Sequence, residues 1–268
     1  MYFYVLTILI SFVLTFLFKN LIYNMIIETK FLKQNYKGQS IPIGMGIIFP
    51  VVLISSLAFL HLFYPTTSIS LLFSFGVSTM ALLGIIDDLL GNRNTTGLKG
   101  HIGQLFKFKL TTGGLKALMG GVVSIFVSLS FSNNFPMLIL NGLIIALFTN
   151  LINLLDLRPG RALKFFLFYA TIIFIFFICE NSYLLIIITI IVLVYFPMDI
   201  KAVAMMGDVG SNSLGFVLGF FTAFHFGYIY KLTILIFLVF IHLFSERFSI
   251  TNFIENNKFL KYLDNLGR

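Results

Sequence analysis

Read for its alternation of apolar and polar positions, the chain divides into continuous apolar runs of about 16–20 residues separated by polar segments. Such runs are apolar all round a helix rather than striped on one face. Their length matches the ~20 residues that a helix needs to cross ~30 Å of hydrocarbon. Nine transmembrane helices are therefore predicted, at residues 1–18, 43–64, 69–86, 113–131, 135–152, 162–179, 182–197, 211–226 and 230–246. A transmembrane β-barrel would need apolar and polar residues in alternation, and these runs have none. The first run has no basic segment ahead of it and ends at Lys19 without a small-residue cleavage site, so an anchor is expected rather than a removable signal peptide. With no internal repeat, linker or low-complexity tail, the expectation is one all-α polytopic helical bundle, a single integral-membrane domain over residues 1–268.

Composition closes off the other classes. Hydrophobic residues make up 59% of the chain and charged ones 10%, against ~45–50% and ~25% in an ordinary soluble domain. Mean hydropathy is +1.01, and Phe alone fills 34 positions. A water-soluble core of this size cannot hide that much apolar surface, and a disordered chain would not carry it. The single Cys179 forbids an internal disulfide and reads as a small apolar filler.

Charge sets the expected orientation. The connections 64–68, 131–135, 180–182 and 227–230 are short, while 19–42, 87–112, 153–161, 198–210 and the tail 247–268 are long. With span ends counted in, every one of the 18 Lys and Arg except Lys231 belongs to the long set. The positive-inside rule then places the long loops and the C-terminus in the cytoplasm and the N-terminus outside. The net charge of +8 is mostly topological and partly available to anionic lipid or substrate. No nucleic-acid-binding motif accompanies it, so nucleic acid is not an expected partner.

Ten acidic residues remain, and four of them, Asp87, Asp88, Asp156 and Asp208, fall where a span meets its cytoplasmic loop. Acids at the edge of lipid are expensive enough to suggest function. Asp87 and Asp88 end the third span, facing the negative end of the helix dipole and each other. Paired carboxylates suit a base or a Mg²⁺ site. Asn150, Asn153 and Asp156 close the fifth span at i, i+3, i+6, within an arc of ~120°, so all three are expected to face one cavity. Arg158, Gly160, Arg161 and Lys164 follow, a set of cations suited to phosphates. Met206-Gly207-Asp208-Val209-Gly210-Ser211 precedes the eighth span, where glycines permit close backbone approach and free N–H groups face an anion. Lys37 to Gly46 opens the second span, and Lys99, Lys107, Lys109 and Lys116 surround Leu110 to Gly114. Of the four histidines only His242, four residues before Glu246, is a weak site candidate. His61, His101 and His225 read as structural. Asp199 belongs to none of these patterns and is expected to be a silent control.

These residues resemble the polyprenyl-phosphate N-acetylhexosamine-1-phosphate transferases, the family that includes the phospho-N-acetylmuramoyl-pentapeptide transferases of cell-wall synthesis. The resemblance covers about residues 37 to 220 and rests on four ordered motifs on alternate loops. Pro42 to Gly46 is similar to the family's Pro/Gly opening, Asp87-Asp88 to its Asp pair, and Asn150-x-x-Asn153-x-x-Asp156 to its third motif. Met206 to Gly215 meets Met-Gly-Asp-x-Gly-Ser-x-x-Leu-Gly in full. Leu157 stands where the family usually has Gly, its His-rich last cytoplasmic loop is missing, and the chain ends about one helix early.

The resemblance implies transfer of N-acetylhexosamine-1-phosphate from a UDP-sugar to polyprenyl (undecaprenyl) phosphate, with release of UMP, in bacterial envelope glycan synthesis. It implies a multi-pass protein of the plasma membrane with its active site at the cytoplasmic face. Asp87, Asp88 and Asp208 would be catalytic, with Asp208 the Mg²⁺ ligand. Lys37, Lys116, Asn150, Asn153, Asp156, Arg161 and Ser211 would bind substrates. Membrane lipids, and a second copy of the chain as a homodimer, are the other partners admitted. Two rival readings stay open: a catalytically degenerate paralogue that binds lipid-linked intermediates or wall-synthesis partners, and a transporter, which would need polar residues near midplane.

Overall fold

The computed structural model describes residues 2–91, 111–177 and 181–268; Lys99, His101, Lys107, Lys109, Leu110, Cys179 and Glu180 lie outside the described residues. Helix α1 (Tyr2–Glu28) leads into a small hairpin of β1 (Leu32–Gln34) and β2 (Ser40–Pro42). A 3₁₀ turn at Met45–Ile47 then opens α2 (Ile48–His61), followed by α3 (Ser68–Leu90), α4 (Thr112–Leu129) and α5 (Phe135–Leu155). The remaining helices are α6 (Arg161–Phe176), α7 (Ser182–Ile200), α8 (Gly207–His225), α9 (Tyr228–Arg247), α10 (Ile250–Asn256) and α11 (Lys258–Asn265).

Each predicted run is a helix, α1 to α9 in order. Six of these, α1, α3, α4, α5, α7 and α9, are long and apolar enough to cross a membrane. The other three differ for physical reasons. Helices α2 and α6 have only 14 and 16 residues, and α8 carries Asp208, Ser211, Asn212 and Ser213 in its first two turns. Three boundaries also move. Helix α1 continues past Lys19 to Glu28, α3 carries Asp87 and Asp88 inside its last turn, and α8 begins at Gly207, so the Gly-Asp motif is its first turn and does not precede it.

Helix α8 is the axis of the bundle, buried without interruption from Val209 to Ala223. Gly215 and Gly219 lie four apart on the side that meets α5. A Cβ on Gly215 would strike the backbone of Phe148 and Thr149, and one on Gly219 the Ile145 backbone. Small residues at this spacing let two helices pack backbone to backbone, the arrangement that joins helices where no water drives association. Gly76 of α3 likewise leaves room for the Phe216 ring.

The periphery is inside out by soluble standards. On α1 the side chains of Thr7, Ser11 and Thr15 are fully buried, each hydroxyl donating to a carbonyl one turn back at 2.5–2.9 Å. Leu9, Phe12, Val13 and Phe16 of the same helix are exposed, as are Ile236, Phe237, Phe240 and Leu243 of α9. Small bonded polar groups inward and large apolar groups outward is what lipid as solvent selects, and the chain is an all-α membrane protein.

The polar connections gather at one end. The short turns form aromatic clusters, with Phe3 against Tyr64 and Tyr183 (4.7 and 5.2 Å between ring centres), Phe177 against Phe226 (4.4 Å), and Phe131 against Phe224 (5.3 Å). The opposite end is knitted from the long segments. The hairpin pairs Leu32 with Pro42 and Gln34 with Ser40. Its Pro42 carbonyl accepts from Met205 N–H (2.8 Å), while Met45 and Gly46 N–H donate to Met205 and Met206 carbonyls (3.1 and 3.0 Å). That end holds the candidate site.

Candidate active site

The end of α3, the 3₁₀ turn ahead of α2 and the start of α8 converge here because glycines let their backbones touch. A Cβ on Gly84 of α3 would overlap the Asp208 backbone, and one on Gly46 the Gly210 backbone. Gly207 begins α8 at φ +71°, and a Cβ there would meet the Asp88 carboxylate. These glycines therefore seat protein against protein rather than clearing space for a ligand, as the motif alone suggested.

The close approach gives Asp88 a defined task. Its Oδ2 accepts the Asp208 N–H at 2.8 Å, and its Oδ1 lies 3.4 Å from Lys33 Nζ. A carboxylate from α3 thus caps α8, where the helix dipole is positive and an N–H would otherwise be orphaned. This offsets the poor placement of two acids at the C-terminus of α3.

Asp87 and Asp208 form a second carboxylate pair, within hydrogen-bonding reach of each other. Lys116, in the second turn of α4, bridges them, with Nζ at 2.5 Å from Asp208 Oδ2 and 3.6 Å from Asp87 Oδ2. Helix α4 is started by Thr111, whose hydroxyl accepts from Gly114 N–H at 3.0 Å, and Thr112 bonds to Asp87. Asn153 completes the group. With its amide oxygen toward Lys116 it accepts from Nζ at 2.7 Å, and its amide nitrogen donates to Asp208 Oδ1 (3.0 Å) and Ser211 Oγ (3.2 Å).

A cleft of about 220 Å³ opens beside this group, lined by Lys33, Tyr36, Asp88, Asn153, Asp156, Arg158, Asp199 and Asp208 among others. Asp156, the residue after α5, lines its floor. Burial, and then the neighbouring carboxylates Asp199, Asp208 and Asp88, push its carboxyl well above the ordinary 3.8. Arg158 sits at the wall with its guanidinium 4.8 Å from the centre of the Tyr36 ring and 3.1 Å from Glu255.

Of the residues predicted to form the site, Asp87, Asp88, Lys116, Asn153, Asp156 and Asp208 come together. Ser211 is fully buried and reaches Asn153 rather than the cleft. Three of the predicted residues lie away from this group. Asn150 is outside the cleft lining, since a residue three earlier on α5 lies ~4.5 Å deeper along the axis. Lys37 is at the hairpin tip, its N–H held by Asn35 Oδ1 (2.9 Å) and its amine over Tyr36; Lys33, on β1, is the lysine that reaches Asp88. Arg161 is buried and turned away, bonded through Nε and Nη2 to Asp264 (2.8 and 2.9 Å) and through Nη1 to Thr251 (3.0 Å). It clasps the C-terminal tail. His242 is also elsewhere, its Nδ1 2.7 Å from the Leu238 carbonyl, and neither it nor Glu246 lines the cleft.

Asp199, near the end of α7, is committed to partners that nothing in the sequence signalled. It is buried in the cleft wall, where it accepts from Gly160 N–H at 2.7 Å and from the Tyr195 hydroxyl at 3.3 Å. Asp199→Ala removes the acceptor of the Gly160 N–H and is expected to destabilise the protein by about 1–3 kcal/mol, read as a lower midpoint in detergent melts. An unchanged midpoint would show that the Gly160 bond carries no weight.

Among the described residues no three acidic, His or Cys side chains cluster as a ready-made metal site. Mg²⁺ does not need one, because it keeps several waters and takes one or two carboxylates beside substrate phosphates. Asp87 and Asp208 fit that demand: two adjacent carboxylates require a shared cation or proton, and one ammonium serves both. No family model matches the chain, and no curated protein matches it.

Proposed function

We propose that the chain is a Mg²⁺-dependent glycosyl-1-phosphate transferase of the plasma membrane. An oxygen of polyprenyl phosphate attacks the β-phosphorus of a UDP-N-acetylhexosamine. The bond from that phosphorus to the bridging oxygen breaks, UMP leaves with the oxygen, and polyprenyl-diphospho-sugar forms. The observation that carries this reading is the meeting of Asp87, Asp208, Lys116 and Asn153 beside a cleft lined with charged side chains at the charged end of an apolar bundle. There a lipid-borne acceptor and a water-borne donor can reach one another.

Phosphoryl transfer asks a protein mainly for positioning and charge stabilisation. Lys116 and Lys33 offset phosphate charge, and Arg158 presents a planar, always-charged donor to the diphosphate. Asn153 orients Asp208 and Lys116 through its two amide atoms. Asp87 is the group placed to hold or deprotonate the acceptor, since Asp88 is committed to capping α8. Asp208 and Asp87 would hold Mg²⁺, which would supply positive charge to the donor phosphates and to the leaving group.

The site then faces the cytoplasm, with the N-terminus outside. A reporter fused after Arg268 is expected to be cytoplasmic, and a cysteine introduced at Asn133 is expected to react from outside; labelling of that cysteine only from the cytoplasmic side would reverse the orientation. The activity is tested by incubating membranes and polyprenyl phosphate with a panel of UDP-sugars and following lipid-linked product. In the absence of the family's His-rich loop, a simple UDP-N-acetylhexosamine is expected to outpace a UDP-muramoyl-pentapeptide. Turnover of the pentapeptide donor alone would reverse that order, and no product from any donor would favour a binding protein without turnover.

A further inference from the structure

The C-terminal segment after α9 is built backwards for a helix packed on a protein. In α11, Phe259, Tyr262 and Leu263 recur at i, i+3 and i+4, so they share one face, and Leu266 follows just beyond the helix end. All four are exposed, Phe259 and Tyr262 to 67% and 65%. The side turned toward the protein carries Asp264 instead, buried between Arg161 and Arg268. Lys164 adds to this grip by donating to the Leu263 and Asp264 carbonyls at 2.9 and 2.7 Å. A strong polar clasp thus holds the helix so that its apolar face points away from the fold.

Two further observations say what covers that face. Exposed aromatic surface continues from the membrane helix before it into α10. Phe244 of α9 packs on Phe248 at 5.1 Å and on Phe253 of α10 at 5.4 Å, and Phe248 and Phe253 are themselves exposed. Lys258 and Lys261 are exposed on α11. Aromatic and leucine side chains on one side, with lysines flanking them, is the chemistry of a helix lying in the headgroup layer of an anionic bilayer.

We propose that residues 248–268 form an interfacial strap, with Phe248, Phe253, Phe259 and Tyr262 in the lipid and Lys258 and Lys261 against anionic headgroups. Arg161 and Arg268 couple the strap to the cleft wall: Arg161 stands next to Gly160, and Arg268 donates to the Pro159 carbonyl at 2.8 Å. The inference needs the membrane-embedded bundle but not the transferase reading.

The chain has no tryptophan, so single reporters can be placed without background. Phe259→Trp and Tyr262→Trp proteins are reconstituted separately in vesicles of phosphatidylcholine and phosphatidylglycerol, with or without brominated acyl chains; Lys37→Trp at the hairpin tip is the aqueous comparison. Both strap reporters are expected to emit to the blue of Lys37→Trp and to lose about half of their emission to bromolipid. Adding Lys258→Glu and Lys261→Glu is expected to weaken that quenching at least about twofold in anionic vesicles. Water-like, unquenched emission from both reporters would overturn the proposal. So would blue-shifted emission that bromolipid leaves untouched, which would mean that a second copy covers the face.

Discussion

Asp208→Asn is expected to lower kcat by ~10²-fold or more while expression and thermal stability stay close to wild type. The carboxylate meets Lys116 at 2.5 Å, Asn153 at 3.0 Å and Asp87. It lies at the cleft, a quarter exposed, with little packing to lose. The bond that seats this turn of α8 runs from the Asp208 backbone to Asp88, and it survives the substitution. An amide keeps the shape but removes the charge that holds a hard dication. Asp88→Asn acts differently, weakening the cap on α8, so its loss of activity should come with a lower melting midpoint. Close to full activity of Asp208→Asn at limiting Mg²⁺ would remove the metal assignment.

The largest stability effect is expected at Arg161. Both partners of the Arg161–Asp264 pair are buried, at 6% and 8% side-chain exposure. Such a pair adds little beyond its own desolvation, but removing one partner strands the other charge and costs about 3–5 kcal/mol. Arg268 still reaches Asp264 at 3.0 Å, so Arg161→Ala should fall near the lower end of that range. The strap should detach as well, exposing Lys258 and Lys261 to trypsin under conditions where the wild type is spared. Were Arg161 a substrate ligand, the same variant would raise KM and leave both the melt and the tryptic pattern unchanged.

Much of this architecture was legible from apolar run length. A span is defined by a solvent ~30 Å thick, so the six long helices α1, α3, α4, α5, α7 and α9 could be placed without knowing any contact. The overrun of α1 to Glu28 was not legible that way, because beyond Lys19 it is governed by packing of Ile22 and Ile26 against the fold. Asp87, Asp88, Asn153, Asp156 and Asp208 were visible because acids and amides at lipid edges need a reason.

The lysines and arginines were harder to read, since their long side chains choose partners by three-dimensional proximity. Lys33 and Lys37 are four residues apart, yet the hairpin sends one to Asp88 and the other to its tip. Arg161 sits beside the phosphate-suited run, but its partner Asp264 is 103 residues away. Asp199 gave no local signal because its role is to accept from Gly160, on another loop.

The central claim is best tested by UMP release from purified protein in lipid, with polyprenyl phosphate and a UDP-N-acetylhexosamine supplied. The account predicts release that requires Mg²⁺ and polyprenyl phosphate together, in step with lipid-linked sugar. Tight binding of polyprenyl phosphate with no UMP released at any Mg²⁺ concentration would contradict it.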